Sequence, residues 1–202
     1  MNHLYEILAS SLEYPDEHWH TGLDSWQQCL SAEGSVVATE FNEFRRKLLD
    51  LPIDEIQELY TQTFDLNPVC TLDIGYHLFG ENYKRGELLA RLRETEEPFE
   101  LGQSNQLPDH LPVLLRLLPK LQDEELRLAL IGEILMPALF KMIEALSRTD
   151  NPYRYLIEMI HNSLINESPG YRAPGQLANG TEIPELYRIS SRASMRNEEP
   201  IC

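Results

Sequence analysis

The chain has 202 residues and a formal net charge of −16, with 33 acidic side chains against 17 basic ones. Hydrophobic residues make up 42% and charged residues 25%, which is typical of a globular protein with a sizeable core. The excess of negative charge argues against nucleic acid or an anionic membrane surface as the partner and favours a basic one.

Apolar residues recur with a helical period through most of the chain. The pattern predicts helices over residues 4–12, 17–30, 35–50, 52–64, 72–80, 81–97, 108–121, 123–147 and 151–166. Asp123 and Asn151 are suitable N-caps, and Pro137 is expected to kink the longest helix. No stretch alternates with a period of two long enough to predict a strand. The expected fold class is all-α, a single-domain bundle of about eight or more helices.

The character of the chain changes near its end, where Pro, Gly, Ser and Asn accumulate and the apolar period fades. We expect an all-helical domain over residues 1–166 and a flexible or peripherally packed tail over residues 167–202. The N-terminus lacks a basic region, so it does not resemble a signal peptide. Three widely spaced cysteines are typical of a reducing compartment. We therefore expect a cytoplasmic protein with no stable membrane association.

Motifs of common enzyme classes are absent from the sequence: it has no glycine-rich phosphate loop, no zinc-protease motif and no nucleophile elbow. No metal-ligand spacing is present either, and His18 and His20 do not share a helix face. One enzymatic alternative stays open, in which Asp109 and His110 act as a general-base dyad for a nucleophilic Cys70.

Residues 60–86 combine aromatic side chains with Gly75, Gly80 and Gly86. A glycine inside a helix costs about 1 kcal/mol relative to alanine, so three of them indicate a bend or a close approach between helices. The aromatic residues favour either tight core packing or a binding surface. Arg85 is expected to tie its helix to a neighbouring carboxylate or carbonyl.

Two prolines enclose an Asp–His pair in residues 106–112, QLPDHLP. Pro108 and Pro112 each restrict the residue before them, so the segment that leads into the next helix is stiff. Asp109 is expected to accept hydrogen bonds from the free amides of the first helical turn. His110 is expected to titrate near neutral pH or to donate a hydrogen bond to a peptide carbonyl. The plainer alternative is a cap beside a half-buried spacer.

These two segments resemble one known family. FDLNPVCTLDIGYHLFGENYKRGELLARL (residues 64–92) and QLPDHLPVLLRLL (residues 106–118) are similar to the NarJ group of the NarJ/TorD/DmsD redox-enzyme maturation chaperones. The opening LASSLEYPDEHW (residues 8–19) is also similar to that group. The Leu-Pro-Asp-His-Leu-Pro stretch is the more specific signal, and the resemblance extends from about residue 4 to residue 165.

The resemblance implies a cytoplasmic, all-α chaperone that is not an enzyme. Such proteins bind the N-terminal, leader-like segment of a molybdoenzyme catalytic subunit and hold the apo-subunit until molybdopterin guanine dinucleotide is inserted. The cofactor is then the client's, and none is expected to be bound stably by the chaperone. The implied client is a respiratory nitrate reductase or a related enzyme of the DMSO-reductase family. Cofactor-biosynthesis proteins are further candidate partners. A monomer is expected, with a dimer as the alternative.

The resemblance also suggests roles for individual residues. A leader peptide would lay its apolar face in a groove and meet acidic side chains at the rim. The residues expected to bind it are Tyr60, Phe64, Asp65, Tyr76, His77, Leu107, Asp109, His110 and Leu111. The residues expected to have structural or hinge roles are Gly80, Arg85, Gly86, Pro108 and Pro112.

Two further alternatives concern the client and the cofactor. Similar chaperones serve perchlorate, chlorate, selenate, dimethyl sulfide and ethylbenzene oxidoreductases, and the sequence does not discriminate among these clients. A maturation factor that binds the pterin cofactor directly is the other alternative. The only clustered basic residues, 45–47 and 84–85, are few for that role.

Overall fold

In the described part of the chain, the helical periodicity of the sequence is realised as ten α-helices. The computed structural model describes residues 2–33, 35–66, 68–99, 101 and 106–168, and of residues 2, 32–33 and 35–37 only the backbone. Within these ranges the helices are α1 (Asn2–Ser10), α2 (Trp19–Glu33), α3 (Ser35–Leu48), α4 (Ile53–Phe64), α5 (Ile74–Phe79), α6 (Tyr83–Glu96), α7 (Leu111–Leu117), α8 (Glu124–Ala129), α9 (Met136–Leu146) and α10 (Tyr153–Ile165). The all-α class is confirmed. Almost all of the expected tail lies outside the described residues.

The helix expected over residues 123–147 is continuous but changes its hydrogen-bonding pattern. Asp123 caps its start as predicted, because its side chain accepts a hydrogen bond from the Leu126 amide at 3.1 Å. A π-helical segment, Leu130–Leu135, then joins α8 to α9. Pro137 has no amide hydrogen to donate to the carbonyl four residues back, and the Met136 amide bonds the Ile131 carbonyl, five residues back. The π-helical segment thus ends just before Pro137, and the predicted kink itself stays a prediction.

The core is built by helices that pack in pairs, chiefly α10 on α3 and α9, α1 on α7, and α2 on α3. Tyr153 of α10 lies at the centre of an aromatic cluster, with its ring centroid 4.9 Å from that of Phe64 and 5.4 Å from that of Phe44. Most of these ring pairs are tilted or edge-to-face, the geometries that aromatic quadrupoles favour. Among the described helices, none has the length and apolarity needed to cross a membrane.

The last helix is held at both ends. The Asn151 side chain accepts a hydrogen bond from the Tyr153 amide at 3.0 Å, as predicted for a cap. At the other end, the Tyr5 hydroxyl and the Arg127 guanidinium both donate to the Glu167 carboxylate. The described chain therefore ends at a point tied to α1 and α8.

Candidate functional site

The two segments singled out in the sequence meet through their backbones. The Ile74 amide donates to the Asp109 carbonyl, and the Leu111 amide donates to the Leu72 carbonyl, both at 2.9 Å. These bonds flank an isolated antiparallel bridge between Asp73 and His110. The loop before α5 and the segment before α7 are thus joined in space, although they are far apart in sequence.

Asp109 is fully buried beneath this junction. Its Oδ2 accepts hydrogen bonds from the Gly75 amide at 3.1 Å and from Arg85 Nε at 2.9 Å. The expectation that Asp109 caps the helix that follows it was wrong. That helix begins at Leu111, three residues later than predicted, with His110 as its N-cap and no side-chain cap bond. Asp109 instead binds the first turn of α5, because the backbone pairing turns its carboxylate towards that helix.

Arg85 joins the buried carboxylate to a second, more accessible one. Its Nη2 donates to Asp73 Oδ2 at 2.8 Å, which confirms the predicted tie to a neighbouring carboxylate. His110 Nδ1 lies 3.3 Å from the other Asp73 oxygen. The hydrogen bond from His110, followed by that from Arg85, holds the pKa of Asp73 below its ordinary value. His110 thus contacts a carboxylate, where the sequence led us to expect a peptide carbonyl.

Two glycines explain how the helices come so close. A Cβ at Gly75 would lie 2.7 Å from Asp109 Oδ2 and 3.1 Å from Leu88 Cδ2, so only glycine fits there. Gly80 ends α5 with φ +60°, a conformation that other residues rarely adopt. The predicted close approach and bend are both confirmed. A Cβ at Gly86 would meet nothing within 4 Å, so no such constraint acts there.

Exposed apolar side chains occur in the same two segments as this polar network. Four of them are Leu66, Val69, Tyr76 and Leu107, with exposed fractions of 40–70%. The guanidinium carbon of Arg85 lies 5.8 Å from the centroid of the Tyr76 ring and supports it from within the molecule. Asp65 adds an exposed carboxylate. We call the four apolar residues, together with Asp65 and His110, the Tyr76 surface.

The other residues expected to bind peptide are less accessible. Tyr60 and Phe64 belong to the aromatic cluster and Leu111 to the core, each no more than 5% exposed. A peptide on the surface would not contact them unless α4 or α7 moved. His77 is half-buried, with Nε2 2.8 Å from the Thr71 carbonyl, and burial lowers its pKa. Its ring is therefore engaged within the chain.

Among the hinge residues, both prolines of the Leu-Pro-Asp-His-Leu-Pro segment are buried. Pro108 and Pro112 flank the backbone bonds at Asp109 and Leu111, so the segment is tied at its centre. A hinge role for these two prolines stays a prediction.

Two candidate site residues were not predicted from the sequence. Asp73 bridges Arg85 and His110, and the only sequence signal was its place inside the motif over residues 64–92. Tyr14 is half-exposed and stacks edge-on against Tyr60, with ring centroids 5.4 Å apart. Its signal was an aromatic residue beside Pro15 in the opening stretch that resembled the family.

The enzymatic alternative finds no support in this geometry. Burial raises the pKa of the Cys70 thiol to about 12, so the thiol stays protonated at neutral pH. The Asp109 carboxylate binds Arg85, which leaves His110 to Asp73. The cations of residues 45–47 pair with the carboxylates of Asp24, Glu43 and Asp150, so they do not form an open phosphate site.

Known proteins related to this chain were found among curated sequences, whereas no protein-family model matches it. A "Probable nitrate reductase molybdenum cofactor assembly chaperone NarJ" of Bacillus subtilis (strain 168) is 26% identical over 170 residues, 80% of this chain and 88% of that protein. The "Nitrate reductase molybdenum cofactor assembly chaperone NarJ" of Escherichia coli (strain K12) is 27% identical over 76% of this chain. The "Probable nitrate reductase molybdenum cofactor assembly chaperone NarW" of the same strain is 24% identical over 78%.

The alignments cover 66% of each of the two Escherichia coli proteins, just under two thirds of their length. They agree with the resemblance seen in the two segments and in the opening of the chain. The chain is therefore similar in sequence to NarJ-type nitrate reductase molybdenum cofactor assembly chaperones.

Proposed function

We propose that this protein is an assembly chaperone for a molybdoenzyme, that it acts in the cytoplasm as a monomer, and that it binds the N-terminal segment of the apo catalytic subunit. The names of its relatives support a nitrate reductase as the client. The observation that carries the proposal is the Tyr76 surface: four exposed apolar side chains in the two paired segments that also hold the Arg85–Asp109 pair. Exposed apolar side chains brought together by such pairing favour a recognition surface.

The chemistry of the surface fits a leader-like peptide that is apolar along one face and basic at one end. The apolar face would lie against Leu66, Val69, Tyr76 and Leu107, as in helix-in-groove recognition. The exposed Asp65 carboxylate would meet the basic end. A dissociation constant near micromolar, about −8 kcal/mol, needs only a modest interface and permits release.

The chaperone would hold the client until molybdopterin guanine dinucleotide has been inserted, and the cofactor would remain the client's. In this role the protein performs no chemistry of its own. Its contribution is to cover the N-terminal segment of the client and so to delay the targeting or docking of the apo-subunit. The peptide that binds would identify the client.

The test is isothermal titration of the full chain with peptides of about 30 residues from the N-termini of molybdoenzyme catalytic subunits. We expect one peptide to bind with micromolar affinity. Tyr76→Ala and Asp65→Asn should each weaken that binding about tenfold, since each removes one contact of about 1.4 kcal/mol. Tyr83→Ala is the matched control, because Tyr83 is 71% exposed but starts the neighbouring helix α6.

Binding that tolerates both surface variants would place the peptide elsewhere on the molecule. Failure of every peptide to bind the wild-type chain would refute the proposed function. Asp109→Ala is unsuitable for this purpose, because it would leave Arg85 without its buried partner and confuse lost binding with lost stability.

A further inference from the structure

A cleft of about 370 Å³ opens between α1 and the end of α7, on elements that contribute nothing to the Tyr76 surface. Phe99, Leu101 and Pro119 give it apolar walls, and Tyr5 also lines it. Arg116 lies in the cleft, but its guanidinium is already bound by Glu6 at 3.0 Å and by Glu13 at 2.7 Å. The cleft therefore offers apolar contact with a polar edge, which suits an aromatic side chain with a polar end.

The described chain ends beside this cleft. Tyr5 lines the cleft, and its hydroxyl donates to the Glu167 carboxylate. Glu167 is thus one tyrosine side chain away, and Arg127 binds the same carboxylate and fixes it there. Residues 169–202 continue from Ser168.

The sequence that follows contains one suitable occupant within short reach. Residues 169–176 read PGYRAPGQ, in which Tyr171 is the only large apolar side chain. Three residues of extended chain span at most about 11 Å, enough to bring Tyr171 from Ser168 towards the cleft. A short tether also keeps the effective concentration of the side chain high, on the order of millimolar, so a small contact area suffices.

We propose that the cleft is the docking site of the chain's own C-terminal segment, with the Tyr171 ring packed between Phe99, Leu101 and Pro119. Docking covers apolar surface that the described residues leave partly open. The inference does not depend on the proposed function.

Hydrogen–deuterium exchange of the full chain tests the docking. Amides of residues 171–176 are expected to exchange at least about tenfold more slowly than in an unstructured peptide. Tyr171→Ala should abolish this protection, whereas Tyr187→Ala, in the same C-terminal segment but farther from Ser168, should leave it unchanged. Leu101→Gln should abolish it from the cleft side, with the partly exposed Leu49→Gln as its control. Unprotected amides in the wild-type chain would overturn the proposal, as would protection that survives both Tyr171→Ala and Leu101→Gln.

Disulfide trapping provides a measurement that keeps the Tyr171 ring in place. In a Cys202→Ser chain, Lys120→Cys combined with Arg172→Cys should form an intramolecular disulfide at least about tenfold faster than the same pair in a chain that also carries Leu101→Gln, because docking sets the effective concentration of the thiol. Equal rates in the two chains would contradict docking of Tyr171 in this cleft.

Discussion

Asp109 illustrates how burial determines what a motif residue does. Its side chain has no exposed surface, and each of its partners is supplied by the chain itself. A buried carboxylate is tolerated only when charge and hydrogen bonds compensate it, and Arg85 and the Gly75 amide do so here. The Asp–His pair is therefore divided: Asp109 organises the fold, and His110 faces the Tyr76 surface.

Removal of the Arg85 charge should show that Asp109 acts in stability. Arg85→Met leaves Asp109 buried without its counter-charge, so we expect the free energy of unfolding to fall by about 3–5 kcal/mol. Urea denaturation at pH 7 measures the loss. Arg46→Ala, which breaks the exposed pair with Glu43, should cause no detectable change. A similar small effect for Arg85→Met would mean that the buried network does not stabilise the fold.

Acid should weaken the contribution of Asp73 to stability. Its folded-state pKa lies below the ordinary 3.8, so the ionised carboxylate stabilises the fold above that value and the stabilisation is lost as pH falls through the folded-state pKa. In urea denaturation from pH 7 to pH 3, wild type should exceed Asp73→Asn in stability at neutral pH, and the difference should shrink below about pH 4.

Asp65 provides a control of opposite sign for this titration. Burial raises its pKa, so ionisation of Asp65 costs stability at neutral pH. Asp65→Asn should therefore be at least as stable as wild type at pH 7 and should converge with it in acid. The interpretation of the Asp73 network would be wrong if the two variants showed the same sign of pH dependence.

At the scale of the element, α5 is short, and its position depends on close contact. It spans only Ile74–Phe79, too few residues for a helix that is stable alone. Its first turn binds Asp109 through the Gly75 amide, and its last turn stops at Gly80. The helix is stable because tertiary contacts, among them the hydrogen bond from the Gly75 amide to Asp109, compensate for its short length.

A pair of glycine substitutions tests this dependence. Gly75→Ala places a methyl group 2.7 Å from Asp109 Oδ2, and we expect it to destabilise the protein by about 1–3 kcal/mol. Gly86→Ala is the matched change, since it adds a methyl group in open space inside α6. Its higher helix propensity should stabilise the protein by up to about 1 kcal/mol. Thermal unfolding measures both, and equal effects would rule out a close approach at Gly75.

At the scale of the whole molecule, charge acts on encounter more than on contact. The net charge of −16 belongs to many side chains, whereas at the Tyr76 surface Asp65 supplies the charged contact and the neighbouring Asp73 is already compensated by Arg85. Long-range attraction of a basic peptide depends on the total field, while the bound state depends on apolar contact and on the single contact with Asp65.

This separation has a kinetic consequence for the proposed function. As salt rises from about 0.02 M to 0.5 M, the association rate of a basic client peptide should fall about tenfold or more, with little change in the dissociation rate. Stopped-flow fluorescence of a labelled peptide measures both rates. A peptide with its basic residues replaced by glutamine should lose most of this salt dependence. A salt effect confined to dissociation would contradict steering of the peptide by the net charge.

Much of the architecture was determined by the sequence alone. Helical spacing of apolar residues predicted the all-α class and the approximate position of each helix, because a helix that must bury one face repeats that face every 3.6 residues. Local chemistry also predicted the caps at Asp123 and Asn151 and the bend at Gly80. The Arg85 tie and the resemblance to the NarJ group were likewise evident in the residues.

Only the tertiary structure decided what each residue at the site faces. The backbone pairing of Asp109 with Ile74 directs the Asp109 carboxylate to α5, whereas the sequence predicted that it caps α7. Burial placed Tyr60 and Phe64 in the core, and the same fold left Tyr14 and Tyr76 accessible. Aromatic residues at helical spacing suit a core and a binding face equally well. The choice between them depends on contacts between segments far apart in the chain, and a local pattern carries no information about those contacts.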